Sequence, residues 1–137
     1  MNIVAENVHK LYFDGCSKNN PGDAGIGIVI YKNDEEIVAE CDYIGIKTNN
    51  EAEYNALILG LELAIENGIK ILAVYGDSLL VINQMTNKYS VKNESLIRLY
   101  LKATELTKQF DYISFQHVYR KDNKRADYLS NVGLLKK

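Results

Sequence analysis

The apolar run Ile69-Lys70-Ile71-Leu72-Ala73-Val74-Tyr75 stops at Gly76-Asp77-Ser78, and a helical pattern begins straight after it. A short run of this kind, rich in β-branched residues, reads as a buried strand, and Asp77 stands where it ends. Leu11-Tyr12-Phe13-Asp14-Gly15 closes in the same way. Two strands with Asp at their outgoing ends point to one shared site at the sheet edge. Ligands of open α/β sheets lie in the crevice beyond the strand ends.

Working outward from these two runs, residues 8–14 predict a first strand. Residues 15–27 hold four glycines and the only proline, Pro21, so they open as a tight turn. A second strand follows over residues 26–31, then a polar link at Lys32-Asn33-Asp34-Glu35. Residues 36–44 alternate, with Ile37, Ala39, Cys41 and Tyr43 on one face and Glu40 and Asp42 on the other, as in a half-exposed edge strand. The period then changes. Ala56, Leu57, Gly60, Leu61 and Ala64 mark one face of a helix over residues 50–67, ended by Gly68. A strand reached through a helical crossover lies parallel to its partner. Residues 79–85 and 93–110 predict two further helices, the second with a stripe of Leu96, Leu99, Tyr100, Ala103, Leu106 and Phe110. Residues 112–118 read as the fifth strand, and residues 124–134 as a last helix after a polar, basic loop. The predicted class is α/β in the order βββαβααβα: a five-stranded mixed sheet with helices on both faces. Its first three strands are antiparallel, and the fourth and fifth run parallel to the first.

The chain of 137 residues, 47% hydrophobic, is long enough for one domain with its own core. No apolar run reaches the roughly 20 residues that span a bilayer. The first six residues lack the charged and apolar regions of a secretory signal, so a soluble cytoplasmic protein without membrane partners is expected. Cys16 and Cys41 have no ligand-like spacing and read as free thiols. The formal net charge of −2 hides an asymmetry, because residues 1–69 carry −8 and residues 70–137 carry +6. A basic side of this kind suits either a polyanion or a solvated helix face.

Four acids stand at element ends. Asp14 and Asp77, taken singly, fit turn-starting residues. On neighbouring parallel strands they would face each other, an arrangement that needs a cation. Glu53 could close a capping box with Asn50, yet it shares the apolar face of its helix, where an unpaired carboxylate is costly. Asp127, in the first turn of the last helix, fits a charge–dipole interaction. Together, oxygen-only ligands suit hard divalent ions such as Mg²⁺ or Mn²⁺ rather than zinc. Two such ions roughly 3.5–4 Å apart can activate water and stabilise the leaving oxygen in phosphodiester cleavage. The glycine-rich turn beside Asp14 allows a nucleic-acid backbone close approach. The amides of Asn19, Asn20, Asn49 and Asn50 suit ribose hydroxyls and phosphates. His9 and His117 read as packing residues within strands. The ten tyrosines form no stripe that predicts a stacking platform.

Asp14-Gly15 with Asn20-Pro21-Gly22 and Gly25-Ile26-Gly27, Thr48-Asn49-Asn50-Glu51-Ala52-Glu53-Tyr54, Asp77-Ser78 and Asn123-Lys124-Arg125-Ala126-Asp127 together resemble type 1 ribonuclease H. The motifs occur in family order between Asp14 and Asn131. The resemblance implies that Asp14, Glu53, Asp77 and Asp127 bind two Mg²⁺ ions, with Mn²⁺ as a substitute, Asp14 bridging both. It implies endonucleolytic hydrolysis of the RNA strand of an RNA–DNA hybrid, leaving 5′-phosphate and 3′-hydroxyl ends, by a monomer. Gly15, Asn19, Asn20, Thr48, Asn49, Asn50, Ser78 and Lys124 match or adjoin positions that contact the hybrid. Some members carry a histidine in the loop before the last aspartate. Here Arg120 stands in that loop, as in the archaeal-like and plant-like branch with a shortened loop, and is assigned an assisting role. A basic helical handle is missing, with only Lys88 and Lys92 between the middle helices. Double-stranded RNA is a further substrate to consider. The rival readings are an inactive nucleic-acid-binding module of the same fold and another nuclease of that fold, such as a resolvase or transposase core. The chain reads as a free-standing enzyme.

Overall fold

The computed structural model describes residues 8–137, so the reading of the first six residues as a non-secretory start lies outside the described residues. Strands β1 (His9–Ser17), β2 (Gly22–Lys32) and β3 (Glu35–Lys47) form the antiparallel meander. Helix α1 (Asn49–Glu66) crosses to β4 (Ile71–Gly76), which pairs parallel with β1. Helices α2 (Leu79–Met85) and α3 (Glu94–Thr107) lead to β5 (Tyr112–His117), parallel to β4. A 3-10 turn, Arg120–Asp122, precedes α4 (Lys124–Leu134). The sheet order is β3-β2-β1-β4-β5, with β3 at one edge as its alternation predicts. No helix forms over residues 86–93, which carry only Lys88 and Lys92 as basic residues.

Several boundaries differ from the sequence reading, each for a local reason. The turn expected over residues 15–27 is confined to residues 18–21, because Gly15 to Ser17 stay paired with Ala24 to Ile26. Helix α1 is capped by Thr48, not Asn50. Thr48 Oγ1 accepts the Glu51 N–H at 3.1 Å, and Glu51 Oε1 accepts the Thr48 N–H at 2.9 Å. The capping box is thus Thr48–Glu51, and Glu53 is released from that duty. Helix α3 ends three residues earlier than expected, at Thr107.

Side chains alternate across the sheet, and the two faces take different helices. Leu11, Phe13 and Gly15 turn to α1, while Tyr12 and Asp14 turn to α4. Leu11, Phe13, Ile28, Ile30, Leu57, Leu61 and Val74 are fully buried between the sheet and α1. Each such side chain contributes on the order of 1.5–3 kcal/mol. On the other face, glycines replace side chains. A Cβ on Gly25 would lie 2.2 Å from the Ser130 carbonyl oxygen, and one on Gly27 would lie 2.5 Å from the Ser130 amide nitrogen. Helix α4 therefore rests directly on the backbone of β2, with its first turn beside Phe13 and Asp14 of β1.

Candidate active site

The β1–β4 ladder ends at Phe13↔Gly76. Asp14 and Asp77 are the next residues on each strand, so parallel register places them side by side. Asp14 itself lies inside β1 rather than at its end, because pairing with β2 continues to Ser17. It leaves only its β4 side open. Glu53 reaches the same point from the second turn of α1. Carboxylate oxygens of Asp14, Glu53 and Asp77 all lie within 4.8 Å of one another. Asp127 is outside that trio but close enough to Asp14 to act on it electrostatically.

Asp14 is 5% exposed and Glu53 9%, while Asp77 is half-buried. Burial, then the charge of Asp77, pushes the Asp14 carboxyl up to about 8, against which Ser130 donates a stabilising hydrogen bond. Glu53 is also raised, by burial first and then by Asp14 and Asp77. The Gly15 N–H and the charge of Arg120 act in the opposite sense on Glu53. Mutually repelling carboxylates, two of them buried, with hard oxygen donors and no thiolate or imidazole fit a divalent ion such as Mg²⁺ or Mn²⁺.

Each carboxylate is held. The Gly15 N–H donates to Glu53 Oε1 at 2.9 Å. Asn123 Nδ2 donates to Asp77 Oδ2 at 3.2 Å and to the Phe13 carbonyl at 3.0 Å. Ser130 Oγ is 3.1 Å from Asp14 Oδ2 and 2.8 Å from the Asp127 carbonyl, so its single proton serves one or the other. The sequence reading missed both anchoring roles. Asn123 stands in the loop motif, where nothing indicates that it is buried to 1% exposure. For Ser130 the available signal is its i, i+3 spacing from Asp127, which puts both on one helix face.

The sequence-predicted contact residues surround this cluster unevenly. Asn49 and Arg120 line the same cleft of about 510 Å³ as the carboxylates. Asn49 Oδ1 accepts the Ser17 N–H at 2.9 Å, and Asn20 Oδ1 accepts the Asn49 N–H at 2.8 Å. These bonds tie the β1–β2 turn to the start of α1 and leave both amide NH2 groups as donors. Asn19 is exposed in the left-handed region, at φ 63°. Asn50 and Lys124 are exposed, and Thr48 and Ser78 are the N-caps of α1 and α2. Gly15 lines that cleft as well, and it has a second reason to lack a side chain. A Cβ there would lie 2.3 Å from the Ala52 carbonyl carbon, so its absence also permits the close approach of α1.

The sequence matches the reverse transcriptase-like family over residues 12–133. Ribonuclease HI of Halobacterium salinarum is 46% identical over 124 residues, which cover 90% of this chain and 62% of that protein. The chain thus spans less than two thirds of that relative's length. The crystal structure of RNase H1 from the halophilic archaeon Halobacterium salinarum NRC-1 gives a TM-score of 0.92 at 40% identity, covering 95% of this chain and 99% of that one. LC11-RNase H1, solved in complex with an RNA/DNA hybrid, gives 0.87 at 35% identity, with 93% and 97% covered. The chain belongs to the reverse transcriptase-like family; within it, it is a homologue of the type 1 ribonucleases H. Among the described residues no helix is long and apolar enough to cross a membrane.

Proposed function

We propose that residues 1–137 act as one ribonuclease H domain, a cytoplasmic monomer that hydrolyses the RNA strand of RNA–DNA hybrids and leaves 5′-phosphate and 3′-hydroxyl ends. The observation that carries this reading is the convergence of Asp14, Glu53 and Asp77 within 4.8 Å where the parallel β1–β4 ladder ends. LC11-RNase H1, similar over nearly the whole chain, has been solved with that kind of duplex. Asp14, Glu53 and Asp77, with Asp127 beside Asp14, would hold two Mg²⁺ ions, for which Mn²⁺ substitutes; the ions would activate water and stabilise the leaving oxygen.

The protein's own groups do the rest. The Gly15 amide, Asn123 and Ser130 hold the three carboxylates in place. Gly15 and the unused NH2 donors of Asn20 and Asn49, with Asn19, Asn50, Thr48, Ser78 and Lys124 outside the cleft lining itself, contact ribose and phosphate. Arg120 brings positive charge to a site dominated by acids.

The test is cleavage of an end-labelled RNA–DNA hybrid in Mg²⁺ and Mn²⁺, with double-stranded RNA, single strands and DNA duplex alongside. Cleavage of the hybrid's RNA strand, lost with EDTA and in Asp77→Asn, is the expected result. Folded protein that binds the hybrid without cleaving it would instead be a binding module. Arg120→Ala is expected to lower kcat roughly tenfold, about 1.4 kcal/mol, at unchanged hybrid affinity. Unaltered turnover would reject that role.

A further inference from the structure

A second cavity, of about 340 Å³, lies on the α4 face of the sheet, behind the Arg120–Asp122 turn. Tyr12 and Tyr31 line it, edge to face with ring centroids 5.8 Å apart. Tyr75 stacks on Tyr12 at 4.9 Å and 17° between planes. These rings come from three strands. Register sets Tyr12 beside Tyr75 and Lys10 opposite Tyr31, which is why no tyrosine stripe is visible along the chain.

The rim is cationic. Lys10, Lys121, Lys124 and Arg125 line the cavity together with two carboxylates, Asp34 and Asp122. Arg125 is engaged by Glu36, at 2.9 and 3.1 Å. The three lysines have no carboxylate within 4.0 Å among the described residues. Helix α4 starts here, and Asn123 at its N-cap makes no side-chain capping bond. The first-turn amides of Lys124, Arg125 and Ala126, all in the cavity lining, are therefore available to an acceptor.

We propose that this cavity binds a mononucleotide, at a site separate from the carboxylate cleft. The base has a π face for the tyrosines, a contact worth roughly 1–3 kcal/mol per base. The phosphate meets the unpaired lysines and the uncapped helix start. Asp34 and Asp122 accept from ribose hydroxyls or an exocyclic amine. A bare inorganic anion would meet those two carboxylates without compensation, and a neutral nucleoside would leave the lysines unused, so the site selects the two parts joined. Asn123 links the two places. It lines this cavity and also donates to Asp77 at 3.2 Å, which gives the bound nucleotide a contact path to the carboxylates.

The experiment is an amide NMR titration of the protein in EDTA with AMP, adenosine and inorganic phosphate. AMP is expected to shift Lys10, Tyr12 and residues 121–126, and to bind at least tenfold more tightly than either fragment. The exposed double substitution Lys121→Ala/Lys124→Ala should weaken AMP at least fivefold, while Asp14→Asn leaves it unchanged. A 5′-phosphorylated dinucleotide that binds as well as AMP would uphold the site and assign its ligand to strand ends. AMP binding no tighter than phosphate, shifts centred on Asp14, Glu53 and Asp77, or no effect of the lysine substitutions would each overturn the proposal.

Discussion

Asp14→Asn is expected to lower the hybrid-cleavage rate by at least about 1,000-fold, some 4 kcal/mol of transition-state stabilisation, and at the same time to stabilise the metal-free protein at alkaline pH. The two effects share one cause. Asp14 is packed among Glu53, Asp77 and Asp127, with its carboxyl pushed up to about 8 from an ordinary value of 3.8. Between those values the folded state keeps a proton that the unfolded chain has released. Stability is therefore fully present at low pH and falls as pH rises through about 8, by up to about 1.4 kcal/mol per pH unit. Glu53, shifted in the same direction, adds to the slope. Asparagine does not titrate and relieves its neighbours of one charge. Thermal unfolding in EDTA should show the wild-type Tm falling more steeply between pH 5 and pH 9 than that of Asp14→Asn, and parallel profiles would contradict the electrostatic account. Adding Mg²⁺ at pH 8 should raise the wild-type Tm, by about 1.4 kcal/mol of stability at tenfold the dissociation constant. The variant should gain much less.

The second large effect concerns packing. Gly27→Ala is expected to destabilise the protein by roughly 3 kcal/mol or more, a Tm drop on the order of 10 °C. The added Cβ would lie 2.5 Å from the Ser130 nitrogen, 2.6 Å from Leu129 Cβ and 2.7 Å from the Leu129 carbonyl carbon. Two of these are backbone atoms, so relief requires moving α4 as a body, and α4 carries Asp127 and Ser130. Activity should fall beyond what the loss of folded protein explains. The comparison is Gly45→Ala, at φ +85° in the bulged part of β3, with nothing within 4 Å of its Cβ. That substitution carries only the left-handed backbone cost, about 1 kcal/mol. Equal destabilisation by the two would refute steric contact with α4 as the reason for Gly27.

The two large effects differ in how far they can be read from the chain. Asp14 and Asp77 are legible because each terminates an apolar run, and strand ends are where open sheets hold ligands. Glu53 is legible only as a conflict: a carboxylate on an apolar helix face that local capping could also explain. The structure resolves the conflict through Thr48, whose hydroxyl takes the cap two residues earlier than Asn50 would. Gly27 carries no such sign, since its reason is a helix about a hundred residues away in sequence. Ser130 and Asn123 are silent for the same reason, being polar residues whose partners lie on β1 and beyond β4.

The order of elements, the edge position of β3 and the acids that stand at element ends are legible along the chain, because hydrophobic period and turn chemistry are local properties. Where Asp14 sits within its strand, which residue caps α1, which side chains hold the carboxylates, and the meeting of Tyr12, Tyr31 and Tyr75 on one face emerge from the folded chain alone. Those outcomes depend on strand register and on how closely two backbones approach. A period of 2 or 3.6 says which residues share a face, and says nothing of what that face will meet.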